Sequence, residues 1–490
     1  MSIAEMSALA LAKAIRERKL SAPEALKEMM RRYAQTDGAI HAYLTVDPDG
    51  AMRHAVQVQD RIDRGEIRSP LAGVPIAVKD NICTEGMRTT CASRMLADFI
   101  PPYSATAVRK LHENDLILYG KLNMDEFAMG STTETSYFGI TRNPWNTERV
   151  PGGSSGGAAA AVAVGSTLCA LGSDTGGSIR QPASHCGVTG FKPTYGTVSR
   201  YGLIAYASSL EQIGPIGRDV ADCAALTDVI RGADCYDSIS HSTADEPYSD
   251  LLQRDVRGLR VGVLQECSNG EISADVACCI EKMAHQLEKM GAEVHEINFP
   301  LMEYAVPTYY TIATAEAASN LSRYDGIKYG YRAAGDMPLS EVYTQSRTEG
   351  FGREVKRRIM LGNFVLSAGY YDAYYCRALK AKAAITAAMQ ALFEQYDLLL
   401  MPTAPATAPH IGASLSDAVG MYATDCYTVL ANLAGLPALT LPCGFGTDGM
   451  PIGAQLIGPA MSDARVLSAG YAYQQVTDYH TKRPREVNAP

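Results

Sequence analysis

The sequence predicts an α/β fold, and two observations predict it. Strand and helix patterns alternate through the first half of the 490-residue chain, which argues for a sheet with helices packed on it. Residues 158–164 are apolar on every side, and a helix with no polar face is a buried helix. Residues 167–173 follow it as a short buried strand.

The elements follow in order. Ser2 and Glu5 have capping-box spacing, and Ile3, Met6, Ala10 and Ala14 recur at helical spacing, so a helix is expected over 2–18. Ser21-Ala22-Pro23-Glu24 opens a second helix, with Leu26, Met29, Met30 and Tyr33 on one face. Residues 71–78 read as a short buried strand that ends on Lys79. A helix over 106–114 and a strand over 115–120 come next. Residues 121–139 are dense in polar groups and read as a loop bordering a site, with Asp125 and Glu126 as a solvated helix start. Residues 191–215 read as a turn-rich aromatic wrap, and Asp219 as the cap of a helix to about Arg231. Residues 236–255 read as a surface loop. A strand over 259–265, a helix over 274–290 and a strand over 293–299 follow. In the second half Tyr309 starts a helical pattern after Pro307. Residues 349–360 form a basic helix, 370–396 a long helix, 398–402 a buried strand, and 421–435 a mostly apolar helix carrying Asp425. There is no internal repeat or low-complexity linker. The chain reads as one large domain over 1–490, with N-terminal helices over about 1–65 and a helical insertion near 300–395 as its most separable part.

Apolar content of 47% and charged content of 20% are those of a soluble globular protein. A net charge of −9 argues against this chain itself gripping a phosphate backbone. The twelve cysteines include no C-x-x-C pair and the nine histidines no close pairing, so neither a disulfide framework nor a metal site is expected. Reduced thiols in a cytosolic protein fit that usage. No transmembrane-length apolar run and no signal-peptide core is visible.

Chemistry concentrates in two Gly-Ser clusters, Gly152-Gly153-Ser154-Ser155-Gly156-Gly157 and Asp174-Thr175-Gly176-Gly177-Ser178. Ordinary linkers do not enclose a buried helix and strand, so these glycines mark close backbone approaches. Successive N–H groups in the 174–178 loop would suit a developing oxyanion, with a serine at its end to attack. The first cluster also fits the G-x-S-x-G elbow by letter. The Walker pattern fails, because no Gly-Lys-Ser/Thr follows. A serine needs a group to take its proton. His185 lies shortly after Ser178. Lys79 is the alternative, since burial favours a neutral lysine, although a lysine there could also mark where the strand meets water.

The run Gly152–Gly157, followed by Gly172-x-Asp174-x-Gly176-Gly177-Ser178-Ile179-Arg180-x-Pro182, resembles the signature of the amidase-signature enzymes. That resemblance implies a large mixed central β-sheet covered by helices on both faces. It implies Ser178 as nucleophile, Ser154 as proton relay after a cis peptide, and Lys79 as base, with His185 merely packed nearby. It also implies an oxyanion hole from the backbone N–H groups of Thr175, Gly176 and Gly177.

Residues 122–131, 199–205, 354–358, 370–375 and 431–437 further resemble the branch of that family that hydrolyses glutamine for a tRNA-dependent amidotransferase. This implies that Arg358 holds the α-carboxylate of glutamine, Asp425 its α-ammonium, and Tyr309 completes the pocket; an arginine fork suits a carboxylate. It implies no cofactor or metal in this chain, with ATP and Mg at a partner. Ammonia would pass to a B subunit that amidates tRNA-borne glutamate, or aspartate, and a small C subunit would complete a cytoplasmic heterotrimer. Charged tRNA would be held mainly by the partner. Residues 410–419 are less typical of that branch. The alternative is a stand-alone amidase acting on other small amides.

Overall fold

The protein is described by a computed structural model over residues 3–67, 69–243, 246–264, 272–414 and 418–485. Eleven strands join in one mixed sheet: β1 (Tyr43–Val46), β2 (Pro75–Lys79), β3 (Ile117–Leu122), β4 (Cys169–Asp174), β5 (Thr189–Lys192), β6 (Gln212–Gly217), β7 (Arg260–Leu264), β8 (Glu293–Ile297), β9 (Leu398–Pro402), β10 (Ala438–Phe445) and β11 (Pro451–Ile457). Their order is β1-β3-β2-β4-β6-β5-β10-β11-β9-β7-β8. β2 runs parallel to both β3 and β4, while β4 runs antiparallel to β6. β2, β3, β4 and β9 are buried along their whole length, as expected of strands covered on both faces.

Three apolar clusters flank this sheet. One packs the N-terminal helices and the wholly buried helix Gly156–Val164 against β2 to β4. A second gathers the helices Met302–Asn320, Arg353–Val365 and Arg377–Gln395. The third sets the helices Val220–Ile230, Ala274–Lys289 and Asp463–Gln474 on the β9 to β11 end.

Local signals hold where a side chain caps its own helix. Ser21 and Glu24 close both halves of a capping box on the helix Ala22–Ile40, and Asp219 caps Val220–Ile230 through the Asp222 N–H. Elsewhere distant partners decide. Ser2 lies outside the described residues, and the first α-helix is Ala8–Arg16, capped by Ser7. Its Ala8 and Leu9 N–H groups donate to the carboxylate of Asp222 at 2.7 and 3.0 Å, a residue more than 200 positions away.

The aromatic stretch 191–215 holds the end of β5 and the start of β6 rather than turns alone. The helix expected to start at Tyr309 starts at Met302 instead. Pro307 sits in its second turn, where a proline removes a single backbone bond. The basic stretch 349–360 is the junction of two helices, Leu339–Gly350 and Arg353–Val365. The stretch 370–396 opens as a π-helical turn, Tyr371–Cys376, before the α-helix. The stretch 421–435 is two short helices, Ala418–Ala423 and Val429–Leu433, and Asp425 sits in the turn between them.

A candidate active site at the ends of two parallel strands

β2 and β4 end side by side at their carboxyl ends, where the strand order reverses, since β3 lies on the other side of β2. Such switch points open a crevice beyond the strand ends. β2 delivers Lys79 there, and β4 delivers Asp174 and the loop 175–178. Lys79 is fully buried, and its Nζ donates to Ser154 Oγ at 2.7 Å and to the Ser173 carbonyl at 3.3 Å. Burial pushes its amine down to about 7, against the opposing pull of Asp125 and Asp174. The structure therefore gives Lys79 an interior partner, not a place at the water's edge. The Gly153–Ser154 peptide is cis.

Asp174 organises the loop that follows it. Its carboxylate accepts from the Gly177 N–H at 2.9 Å, the Ile179 N–H at 3.1 Å, and Arg180 Nε and Nη2 at 3.1 and 3.0 Å. Burial alone would raise this carboxyl. The charge and hydrogen bonds of Arg180, with Lys192 and Asn432, together outweigh it and hold Asp174 well below the usual range. One expectation meets a competing partner here: the Gly177 N–H donates to Asp174 in this structure. Among the described residues, the backbone N–H groups of Thr175, Gly176 and Ser178 have no protein acceptor. The Ser155 N–H donates to the Ser178 carbonyl at 3.0 Å, which ties the two Gly-Ser loops together.

Asp125 and Glu126 are not a solvated helix start; both are buried. Asp125 accepts from the Thr133 N–H at 2.9 Å and Thr135 Oγ1 at 2.9 Å, and its own N–H donates to the Ser154 carbonyl. It thus folds the 131–135 loop against the first serine cluster. His185 lies on the helix Arg180–Cys186, buried and packed toward Gly152, with burial lowering its pKa to about 4. It does not line the cavity described next.

A small, tight cavity of about 10 Å³ brings together Ser178, Gly176, Gly177, Tyr309, Arg358 and Asp425, with Ser131 and Tyr310 also in its wall. Tyr309 reaches it from the helix Met302–Asn320. A Cβ on Gly176 would lie 2.5 Å from the Tyr309 ring carbon Cζ, so the loop and the ring touch only because residue 176 is glycine. Arg358 is buried; its Nε donates to Glu354 Oε1 at 2.8 Å and its Nη1 to the Tyr206 hydroxyl at 2.8 Å. Its Nη2 is buried with no protein partner. Asp425 is buried too. It accepts from Tyr310 Oη at 2.6 Å and Ser131 Oγ at 3.0 Å, and burial raises its carboxyl to about 6.

The four residues that hold these charges, Ser131, Tyr206, Tyr310 and Glu354, were not singled out from the sequence. Tyr310 stands beside Tyr309 and Ser131 closes the 122–131 run, which is the only signal either carries. Among the described residues no group of three or more His, Cys, Asp or Glu could hold a metal ion, and no helix is long and apolar enough to cross a membrane.

Chemically, this arrangement can take a proton from a serine into a buried amine, beside a cavity wall that carries one fixed charge of each sign. That is the equipment of a serine–lysine amide hydrolase. The chain belongs to the amidase family, whose profile matches residues 24–467, and within it to the group of glutamyl-tRNA(Gln) amidotransferase A subunits. It is 52% identical to the glutamyl-tRNA(Gln) amidotransferase A chain of Lachnoclostridium phytofermentans, over 100% of both chains. It is likewise 52% identical to that of Agathobacter rectalis, over 98% of this chain and 95% of that one. The crystal structure of the corresponding Thermotoga maritima protein superposes with a TM-score of 0.81 at 39% identity, covering 99% of this chain and 98% of that one.

Proposed function

We propose that this chain hydrolyses glutamine to glutamate and supplies the ammonia to a partner subunit in the cytoplasm. The observation that carries the reading is the unsatisfied Nη2 of Arg358, buried in the wall of the cavity that also holds Ser178 and Asp425. A buried arginine with one free N–H edge calls for an anion, and a buried carboxylate in the same small cavity calls for a cation. The α-carboxylate and α-ammonium of one amino acid meet both needs.

In this reading the side-chain amide then lies over the 175–178 loop. Ser178 Oγ attacks the amide carbon while its proton passes through Ser154 Oγ to the neutral amine of Lys79. The N–H groups of Thr175, Gly176 and Ser178 hold the oxyanion. Collapse breaks the C–N bond, and the proton returns through Ser154 to the leaving nitrogen, which departs as ammonia. Water then attacks the acyl-serine as Lys79 takes its proton through Ser154; the ester C–O bond breaks, the proton returns to Ser178 Oγ, and glutamate and free Ser178 result. No cofactor enters these steps. ATP and Mg belong to a B subunit that activates the tRNA-borne glutamate or aspartate, and a C subunit completes the assembly.

The test is ammonia release by the purified chain, with glutamine against simple amides, with and without the B and C subunits. Glutamine-selective release that vanishes in Ser178→Ala supports the reading. Turnover of simple amides with glutamine ignored and no response to partners would make the chain a free-standing amidase.

A further inference from the structure

Glu126 takes no part in the steps above, yet it is buried and its carboxylate is fully engaged. Oε2 accepts from the Gly352 N–H at 2.8 Å. Oε1 accepts from Ser93 Oγ, which also reaches the Gly350 carbonyl at 3.3 Å. Residues 350–352 join the helix Leu339–Gly350 to the helix Arg353–Val365. Gly352 is the N-cap of the second helix, so Glu126 stands at the positive end of its dipole. The approach is close. A Cβ on Gly352 would lie 2.3 Å from Glu126 Oε2, and one on Gly350 2.6 Å from Met95 Cε. Phe127, the next residue, packs edge-on against Phe351 with ring centroids 5.7 Å apart. Two neighbouring side chains thus grip one three-residue junction.

The helix that starts there carries Glu354 in its first turn and Arg358 one turn further on, joined at 2.8 Å. On the other side of Glu126, the Asp125 N–H donates to the Ser154 carbonyl at 3.2 Å. Adjacent residues therefore hold the proton relay and the helix that bears the arginine. The separation between the serine loops and Arg358 is set across that short span.

We propose that Glu126 is a positioning residue for the substrate: by holding the Gly352 N–H it fixes where the free Nη2 edge of Arg358 stands relative to Ser178. The role rests on the function proposed above. Gly352 is itself exposed, so water can satisfy its N–H when Glu126 is removed. The fold then survives, and what is lost is the fixed placement of the helix.

The experiment compares steady-state kinetics on glutamine and on butanamide, an amide with neither α group, for the parent, Glu126→Ala, Glu126→Gln, Gly352→Ala and the Glu126→Ala/Gly352→Ala double variant. Glu126→Ala should raise the KM for glutamine about tenfold, with kcat and butanamide turnover within about twofold of the parent. Glu126→Gln keeps an acceptor for the Gly352 N–H and should stay within about threefold of the parent in every constant. Gly352 has φ −69°, which alanine adopts freely, so Gly352→Ala adds only the crowding that pushes the carboxylate away. It should copy Glu126→Ala, and the double variant should add little to either single one.

A Glu126→Ala chain with the parent's KM overturns the proposal. So does a loss shared equally by both amides through kcat, which would make Glu126 a support of the whole fold. Glu126→Gln as impaired as Glu126→Ala overturns the role of the Gly352 bond. If Glu126→Ala does not fold, Gly352→Ala carries the same test. A parent that turns over butanamide and ignores glutamine overturns the reading of the site itself. A parent that uses glutamine while every variant matches it overturns the positioning alone.

Discussion

Lys79→Met separates the chemistry of the site from its cost to the fold. In the folded protein the Lys79 amine titrates at about 7 against an ordinary value of 10.5. The unfolded chain therefore binds the proton more tightly, and stability is lost wherever the unfolded chain is protonated and the folded one resists it. The penalty is full from about pH 7 and fades as the pH rises toward 10.5, while below pH 7 the folded amine is protonated at that same cost. At 1.36 kcal/mol per pH unit it is about 4 kcal/mol at pH 7 and falls below about 1 kcal/mol by pH 10. Methionine fills a similar volume with no charge. It forfeits the bonds to Ser154 Oγ and the Ser173 carbonyl, each about 1 kcal/mol. Lys79→Met should therefore be about 2 kcal/mol more stable than the parent at pH 7 and no more stable at pH 10, while glutamine hydrolysis falls about 10⁴-fold. Urea unfolding at the two pH values, with an ammonia assay, measures both. A variant less stable than the parent at pH 7 would refute the claim that Lys79 is a strained, neutralisable base.

Three further outcomes follow from the same geometry. Arg358→Gln removes the free N–H edge, so KM for glutamine should rise about 10- to 100-fold while turnover of an amide without an α-carboxylate stays unchanged; steady-state kinetics with the two substrates decides it. Asp425 titrates at about 6 and must be ionised to hold an ammonium, so KM for glutamine should climb as the pH falls through 6; Asp425→Asn should have a high KM that no longer responds to pH in that window. Asp174→Asn leaves the fully buried Arg180 without its counter-charge, and should lower unfolding stability by about 3–5 kcal/mol with the loop 175–178 disordered by hydrogen exchange.

How much of this was legible depends on sequence distance. The two Gly-Ser clusters announce themselves because their glycines, serines and Asp174 lie within one short run, and the capping box at Ser21 does so because cap and partner are three residues apart. Lys79 was visible only as a lysine at a strand end; that it is buried follows from β4, about 90 residues on. The pocket for the two charges was not readable from local pattern at all. Ser131 and Asp425 are 294 positions apart, and only the resemblance pointed to Arg358, Asp425 and Tyr309. Their supports, Tyr206, Tyr310 and Glu354, look like ordinary surface or core residues in sequence. β6 was hidden for another reason. Its Gln-Ile-Gly-Pro-Ile-Gly reads as a turn, yet a Cβ on Gly214 would lie 2.2 Å from the Phe191 carbonyl oxygen, so the glycine reflects crowding between strands, not a bend. The single helix expected over 421–435 failed because the turn at Asp425 follows from its burial, which hydropathy does not encode.

The cavity is assembled from two stretches of chain that never overlap. Lys79, Ser154, Asp174 and Ser178 all fall before residue 200 and are anchored on the rigid middle of the sheet. Tyr309, Arg358 and Asp425 all fall after residue 300, on two helices and a turn. The two stretches still lean on each other, because Asp425 is held by Ser131 and Arg358 by Tyr206, both from the first half of the chain. A change on a late helix face or turn is therefore felt by residues some 150 to 300 positions earlier in the chain.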